Sequence, residues 1–168
     1  MKYIIHLTNE KKTKILGKKI ASILEKGDII ALQGDLGVGK TTLARAVIRT
    51  IADNDVLEVP SPTFSLVQTY ENKNFPITHT DLYRLRSHEE IYELNFEQAL
   101  EEGVLIIEWP EKVKNLIDPY ISISLQYNNT SRLAIITATG NAKKRLTTCF
   151  KQSKNLLIQK KSNTVSFF

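Results

Sequence analysis

Residues 34–41, Gly34-Asp35-Leu36-Gly37-Val38-Gly39-Lys40-Thr41, read G-x-x-x-x-G-K-T and lie between a short apolar run and an amphipathic one. The run before them, Ile29-Ile30-Ala31-Leu32, has the length and branching of a buried strand, and Gly34 marks the turn that ends it. After the glycines, Leu43, Val47 and Ile51 recur at every fourth position with Ala44 and Ile48 beside them, which predicts a helix with one apolar face. Strand, glycine loop and helix in that order form a phosphate cradle. Glycines let successive backbone N–H groups point inward, and the helix N-terminus adds roughly half a positive charge. In such a loop Lys40 reaches the β- and γ-phosphates and the Thr41 hydroxyl holds Mg²⁺. The plainer alternative is a glycine turn with a solvated lysine.

Working outward, Tyr3 to Leu7 predicts a first strand, and Thr8 or Asn9 can cap a helix that buries Leu16, Ile20, Ile23 and Leu24 and stops at Gly27. Beyond the loop's helix, Asp53-Asn54-Asp55 turn the chain, and Pro60 and Pro62 exclude regular helix around Ser61. From Thr63 to Tyr70, Phe64, Leu66 and Tyr70 alternate with polar residues, as in a half-buried strand. Residues 71–74 then turn it into a return strand, Phe75 to Asp81, forming a hairpin. Residues 87–102 are acidic with helical spacing of Ile91, Leu94 and Leu100, and Gly103 stops them. Val104 to Ile107 is a second continuous apolar run, suited to a strand buried on both faces. A short helix through Val113 and Leu116 follows, and then two strands, Ile121 to Tyr127 and Leu133 to Ala138, joined by a turn at 128–131. The expected fold is α/β: a mixed sheet of the P-loop NTPase type, with antiparallel hairpins and helices on both faces.

The chain has 168 residues, enough for one substantial core. No apolar stretch is long enough to span a bilayer, and Tyr3 to Leu7 is too short, with Glu10, Lys11 and Lys12 following, for a signal peptide; the expectation is a cytoplasmic protein. Cys149 is the single cysteine, so no intramolecular disulfide can form. The net charge is +5, yet all 18 acids precede residue 141, whereas Lys143, Lys144, Arg145, Lys151, Lys154, Lys160 and Lys161 follow it. The expected organisation is one domain over 1–140 and a basic tail over 141–168 that is solvated, partly disordered, or in contact with RNA or an acidic partner.

Two acids can complete a nucleotide site. Asp81 ends one predicted strand and Glu108 another, and ligands of open α/β sheets bind beyond the carboxyl ends of parallel strands. Either acid could instead be a turn residue or a helix cap.

Residues 34–42, Ser61-Pro62-Thr63-Phe64, His79-Thr80-Asp81-Leu82-Tyr83-Arg84 and Ile107-Glu108-Trp109-Pro110-Glu111 occur in an order and spacing that resembles the TsaE (YjeE) family over residues 1–140. The resemblance implies a small ATPase that acts with TsaD and TsaB in making N6-threonylcarbamoyladenosine in tRNA. It implies that Gly34, Asp35, Leu36, Gly37, Val38, Gly39, Lys40, Thr41 and Thr42 hold ATP phosphates. Thr41 and Glu108 would bind Mg²⁺, Asp81 would be the Walker B acid, also near the metal, and Thr63 would lie in a segment that senses the γ-phosphate. Catalysis would fall to Lys40, Asp81 and Glu108, and Arg132 could approach the nucleotide. His79 matches as well but receives no catalytic role, and Trp109-Pro110 could serve packing or partner contact. Asn95 stands where the family often has glycine, and the tail lies outside the pattern. Other classes stay open on the residues alone. A small-molecule or nucleotide kinase could use Arg84 and Arg86 as phosphate clamps, and a non-hydrolysing nucleotide scaffold is also compatible. A GTPase lacks its Asn-Lys-x-Asp and Asp-x-x-Gly signatures.

Overall fold

A computed structural model describes residues 2–86, 89–113 and 118–151, together with the backbone of 158–161 and 164–167. The chain opens with β1 (Lys2–Leu7), α1 (Glu10–Ala21), β2 (Ile29–Gln33) and α2 (Lys40–Ile51). It continues through β3 (Val67–Tyr70), β4 (Ile77–Asp81), two short helices α3 (Glu89–Tyr92) and α4 (Phe96–Glu102), and β5 (Val104–Glu108). A 3-10 turn at Pro110–Val113 leads to β6 (Ile121–Asn128), β7 (Ser131–Ala138), α5 (Gly140–Lys151), β8 (Ile158–Lys161) and β9 (Thr164–Phe167).

The strands form one sheet in the order β3-β4-β5-β2-β6-β7-β1-β9-β8. Its centre, β4-β5-β2-β6, is parallel, and the antiparallel pairs β3/β4, β6/β7 and β7/β1 flank it. This is the mixed sheet that the sequence predicts. Both faces are covered, as parallel strands require. Ile77, Ile106, Ile30, Leu32 and Ile123 pack toward α1, α2 and α5, whereas Leu105, Ile107 and Ile29 pack toward Ile91 of α3, Phe96 of α4 and Val113. Period-two alternation sorts β5 between the two layers, Val104 and Ile106 to one and Leu105 and Ile107 to the other. Helix α1 lies close against α2, where a Cβ on Gly17 would stand 2.4 Å from that of Ala46.

Several boundaries differ from expectation. Helix α1 starts at an Asn9 cap that accepts from the Lys12 N–H at 3.0 Å, but it ends at Ala21, well before Gly27. The strand expected from Thr63 begins only at Val67, because Leu66 takes a positive φ of 62° and breaks the extended backbone. Phe64 is consequently 85 % exposed. The single helix expected over 87–102 is two, interrupted at Asn95, whose φ of 49° is left-handed. Residues 87 and 88 lie outside the described residues, as does Leu116. A glycine would meet that backbone demand without a Cβ penalty, and asparagine is the next most tolerant residue, so the substitution noted at 95 is conformationally matched.

The C-terminal segment departs most. Residues 140–151 are not a solvated appendage but helix α5, with Ala142, Leu146 and Phe150 buried in the core and Phe150 stacked on Tyr3 at 5.2 Å between ring centroids. Residues 152–157, 162, 163 and 168 lie outside the described residues. Truncation of Phe150 to alanine is expected to cost about 3–5 kcal/mol and to lower the thermal midpoint by roughly 10 °C. Calorimetry of Phe150→Ala checks this, and an unchanged midpoint would return α5 to the status of a tail.

Candidate nucleotide site

The parallel register brings the acids together. Asp81 of β4 is directly opposite Glu108 of β5, and Glu108 is opposite Leu32 of β2, two residues before Gly34. All three strands therefore end beside the glycine loop. That loop runs from Gly34 through Gly39 with Gly34, Gly37 and Gly39 at positive φ, and Gly39 is the residue from which α2 starts. Gly34 is also pressed against β6, where an added Cβ would stand 2.3 Å from the Leu125 carbonyl oxygen.

Lys40 is buried, and its ammonium donates to the carbonyls of Gly34 and Asp35 at 2.7 and 2.9 Å. The Trp109 ring caps it with the nitrogen 3.8 Å from the centroid. Burial pushes the Lys40 pKa down from its ordinary value, and the carboxylates of Glu108, Asp81, Glu111 and Asp35 oppose that shift. Thr41 donates through Oγ1 to Glu108 Oε2 at 3.0 Å. The other oxygen, Oε1, lies 2.9 Å from His79 Nε2, with both side chains almost fully buried.

Asp81 is used differently. Its Oδ2 accepts from Ser61 Oγ and, at 2.9 Å, from Thr63 Oγ1, and its Oδ1 accepts the Tyr83 N–H at 3.0 Å. The carboxylate thus clamps the Ser61–Thr63 segment to the end of β4. Arg132 stands over the Tyr127 ring at 4.9 Å and, with Gly37, Val38, Gly39 and Thr42, borders a cavity of about 260 Å³ that Thr8 and Asn9 also line. Tyr127 donates to the Leu36 carbonyl at 3.2 Å and so props the loop. Arg84 lies 4.1 Å over the Phe64 ring.

Of the expected site residues, the structure brings Lys40, Thr41 and Glu108 into one contact network, sets Asp81 with Thr63, and sets Arg132 beside Gly37, Val38, Gly39 and Thr42 in the lining of the cavity. Ser61, Trp109, Tyr127 and His79, to which the sequence gives no site role, contact Asp81, Lys40, the Leu36 carbonyl and Glu108 respectively. Among the described residues no group of three or more His, Cys, Asp or Glu side chains could hold a metal. The oxygen donors present, one hydroxyl beside one carboxylate, suit a hard cation that takes its remaining ligands from water and phosphate, as Mg²⁺ does. No helix among the described residues is long and apolar enough to cross a membrane.

The family model for "Threonylcarbamoyl adenosine biosynthesis protein TsaE" matches residues 7–135. The chain belongs to the TsaE family. Similar curated relatives include the tRNA threonylcarbamoyladenosine biosynthesis protein TsaE of Rickettsia felis, 45 % identical over 139 residues that cover 81 % of each chain. The protein of the same name from a Nostoc species is 36 % identical over 139 residues, covering 79 % of this chain and 84 % of that one. Among solved structures, Bacillus subtilis YdiB superposes with a TM-score of 0.75 over 92 % of this chain and 97 % of its own, at 23 % identity, and so shares the fold. The TsaE match ends within β7, so α5 lies beyond it.

Alanine at Gly34 would bring both a backbone collision and a strained φ, and Gly34→Ala is expected to lose at least about 2 kcal/mol in chemical denaturation. Wild-type stability would mean that the loop and β6 are not in contact.

Proposed function

We propose that this chain is a Mg²⁺-dependent ATPase that supports N6-threonylcarbamoyladenosine formation in tRNA together with TsaD and TsaB. The observation that carries the reading is the Thr41–Glu108 hydrogen bond at the mouth of the glycine loop. It supports the reading because a hydroxyl and a carboxylate 3.0 Å apart are the pair of oxygen donors that a Mg²⁺ ion bound to phosphates needs.

On ATP binding Lys40 exchanges the carbonyls of Gly34 and Asp35 for β- and γ-phosphate oxygens, while backbone N–H groups of the loop and the start of α2 hold the remaining charge. Mg²⁺ would be held by the Thr41 hydroxyl and, through its water shell, by Glu108, and it would neutralise charge on the triphosphate. Glu108 orients the attacking water and receives its proton as the water oxygen bonds to the γ-phosphorus and the bond to the bridging oxygen of ADP breaks. Asp81 acts at one remove, because its oxygens hold Ser61 and Thr63, and Thr63 is then set to meet the γ-phosphate. The cavity beside Arg132, opening on Thr8 and Asn9, suits the base and ribose.

Lys40→Ala is expected to abolish tight ATP binding in calorimetric titration. Glu108→Ala should lower kcat by about 100-fold or more with ATP affinity changed only a few-fold; equal loss of both would contradict its assigned role. Trp109 is the chain's single tryptophan, so its emission reports Lys40 directly, and saturating Mg·ATP should change it as the ammonium leaves the ring. TsaD and TsaB should raise ATP turnover, and the purified chain should restore modified tRNA in a reconstitution lacking only TsaE. Phosphorylation of a free small molecule would favour a kinase instead.

A further inference from the structure

Period two along β4 and β5 sets Ile77, His79 and Asp81 in one row and Val104, Ile106 and Glu108 in the next, and Ile77, Val104 and Ile106 belong to the core under α2. His79 is therefore a polar ring in a row otherwise suited to an aliphatic side chain, and none of its surface is exposed. A buried polar group costs free energy unless it is hydrogen-bonded. The bond that His79 makes is to Glu108, from Nε2 to Oε1 at 2.9 Å, while its Nδ1 is buried with no hydrogen-bond partner. An unpartnered N–H is a costly orphan, so the tautomer that fits has the proton on Nε2, donating to the carboxylate, and a bare lone pair on Nδ1.

We propose that His79 is a positioning residue for Glu108. Its hydrogen bond commits Oε1 to the interior and turns Oε2 outward to Thr41, so that one defined oxygen faces the phosphate site. Without it the carboxylate keeps only its Thr41 contact and loses the orientation that a single-oxygen contact needs. The proposal rests on the reading of Glu108 as the group that acts on water.

The test uses His79→Ala, His79→Gln and His79→Asn in the full chain. The glutamine amide nitrogen reaches about as far as Nε2, whereas the asparagine amide falls short. In nucleotide-free crystals, His79→Ala is expected to show Glu108 reoriented with its contact to Thr41 lost, and His79→Gln to keep it. In ATP hydrolysis, His79→Ala and His79→Asn should lower kcat at least tenfold with KM within about threefold, and His79→Gln should recover most of the rate. In a Glu108→Ala background, removing His79 should lower kcat no further, since the two act as a unit. The proposal is overturned by a folded His79→Ala with wild-type kcat, by additive losses in the double variant, or by His79→Gln and His79→Asn behaving alike. If His79→Ala does not fold, the glutamine and asparagine pair decides alone. A Glu108→Ala protein with full activity would instead remove the reading of Glu108, whereas a crippled Glu108→Ala beside a fully active His79→Ala removes only the positioning role.

Discussion

The hydrogen bond from Thr41 to Glu108 ties the first turn of α2 to the end of β5, and the site depends on it. A carboxylate that is almost fully buried at the edge of a hydrophobic sheet is tolerated only where its oxygens find donors. Glu108 finds one on each side, the Thr41 hydroxyl and the His79 ring. Both donors exist only when β4, β5 and the loop after β2 end at the same level. The parallel register, Asp81 against Glu108 against Leu32, is thus a constraint on chemistry as much as on fold. A slip of one residue in β5 would turn Glu108 to the opposite face, toward α3 and α4, and leave Thr41 and His79 facing an aliphatic side chain.

The same economy explains Lys40. A buried ammonium needs acceptors, and Lys40 takes the carbonyls of its own loop and the face of Trp109. The loop is thereby closed on its own lysine, whose ammonium is held at both carbonyls rather than left as a free side chain. Trp109 can stand there because its backbone is left-handed, φ 62°, at the abrupt end of β5, and its ring also meets Tyr83, 5.0 Å away by centroids. Tyr83 in turn donates its N–H to Asp81. Lys40, Trp109, Tyr83 and Asp81 therefore form one chain of contacts that ends on the Ser61–Thr63 segment.

Much of this was legible in the residues because it depends on local pattern. The glycine loop, the β-branched run before it, the apolar run of β5 and the strand-end positions of Asp81 and Glu108 are all signals within ten residues. What was not legible depends on tertiary partners or on single dihedrals. Alternation from Thr63 looked like a strand, yet Ser61 and Thr63 are drawn away to Asp81, and Leu66 turns the backbone before β3 can start. Helical spacing across 89–102 is real on both sides of Asn95, but one left-handed residue splits it. A histidine inside a strand carries no mark of its partner, because Glu108 is 29 positions away in sequence and adjacent only through strand pairing.

The basic C-terminal segment shows how charge counting misleads when cations are already engaged. Seven lysines and arginines without an acid read as a solvated tail, but Arg145 reaches back to Glu25 and Asp28 and donates through Nε to the Ile23 carbonyl at 2.7 Å. Asp28 is itself buried and immediately precedes Ile29, the first residue of β2. Its carboxylate also accepts the Glu25 N–H, and its carbonyl accepts the Leu105 N–H, so it fixes where β2 begins against β5. Without Arg145 the buried Asp28 carboxylate would lose its cation. Helix α5 thus contributes at the opposite end of β2 from the glycine loop: it neutralises the acid that sets the strand's start, and that start sets the level at which the loop meets Glu108.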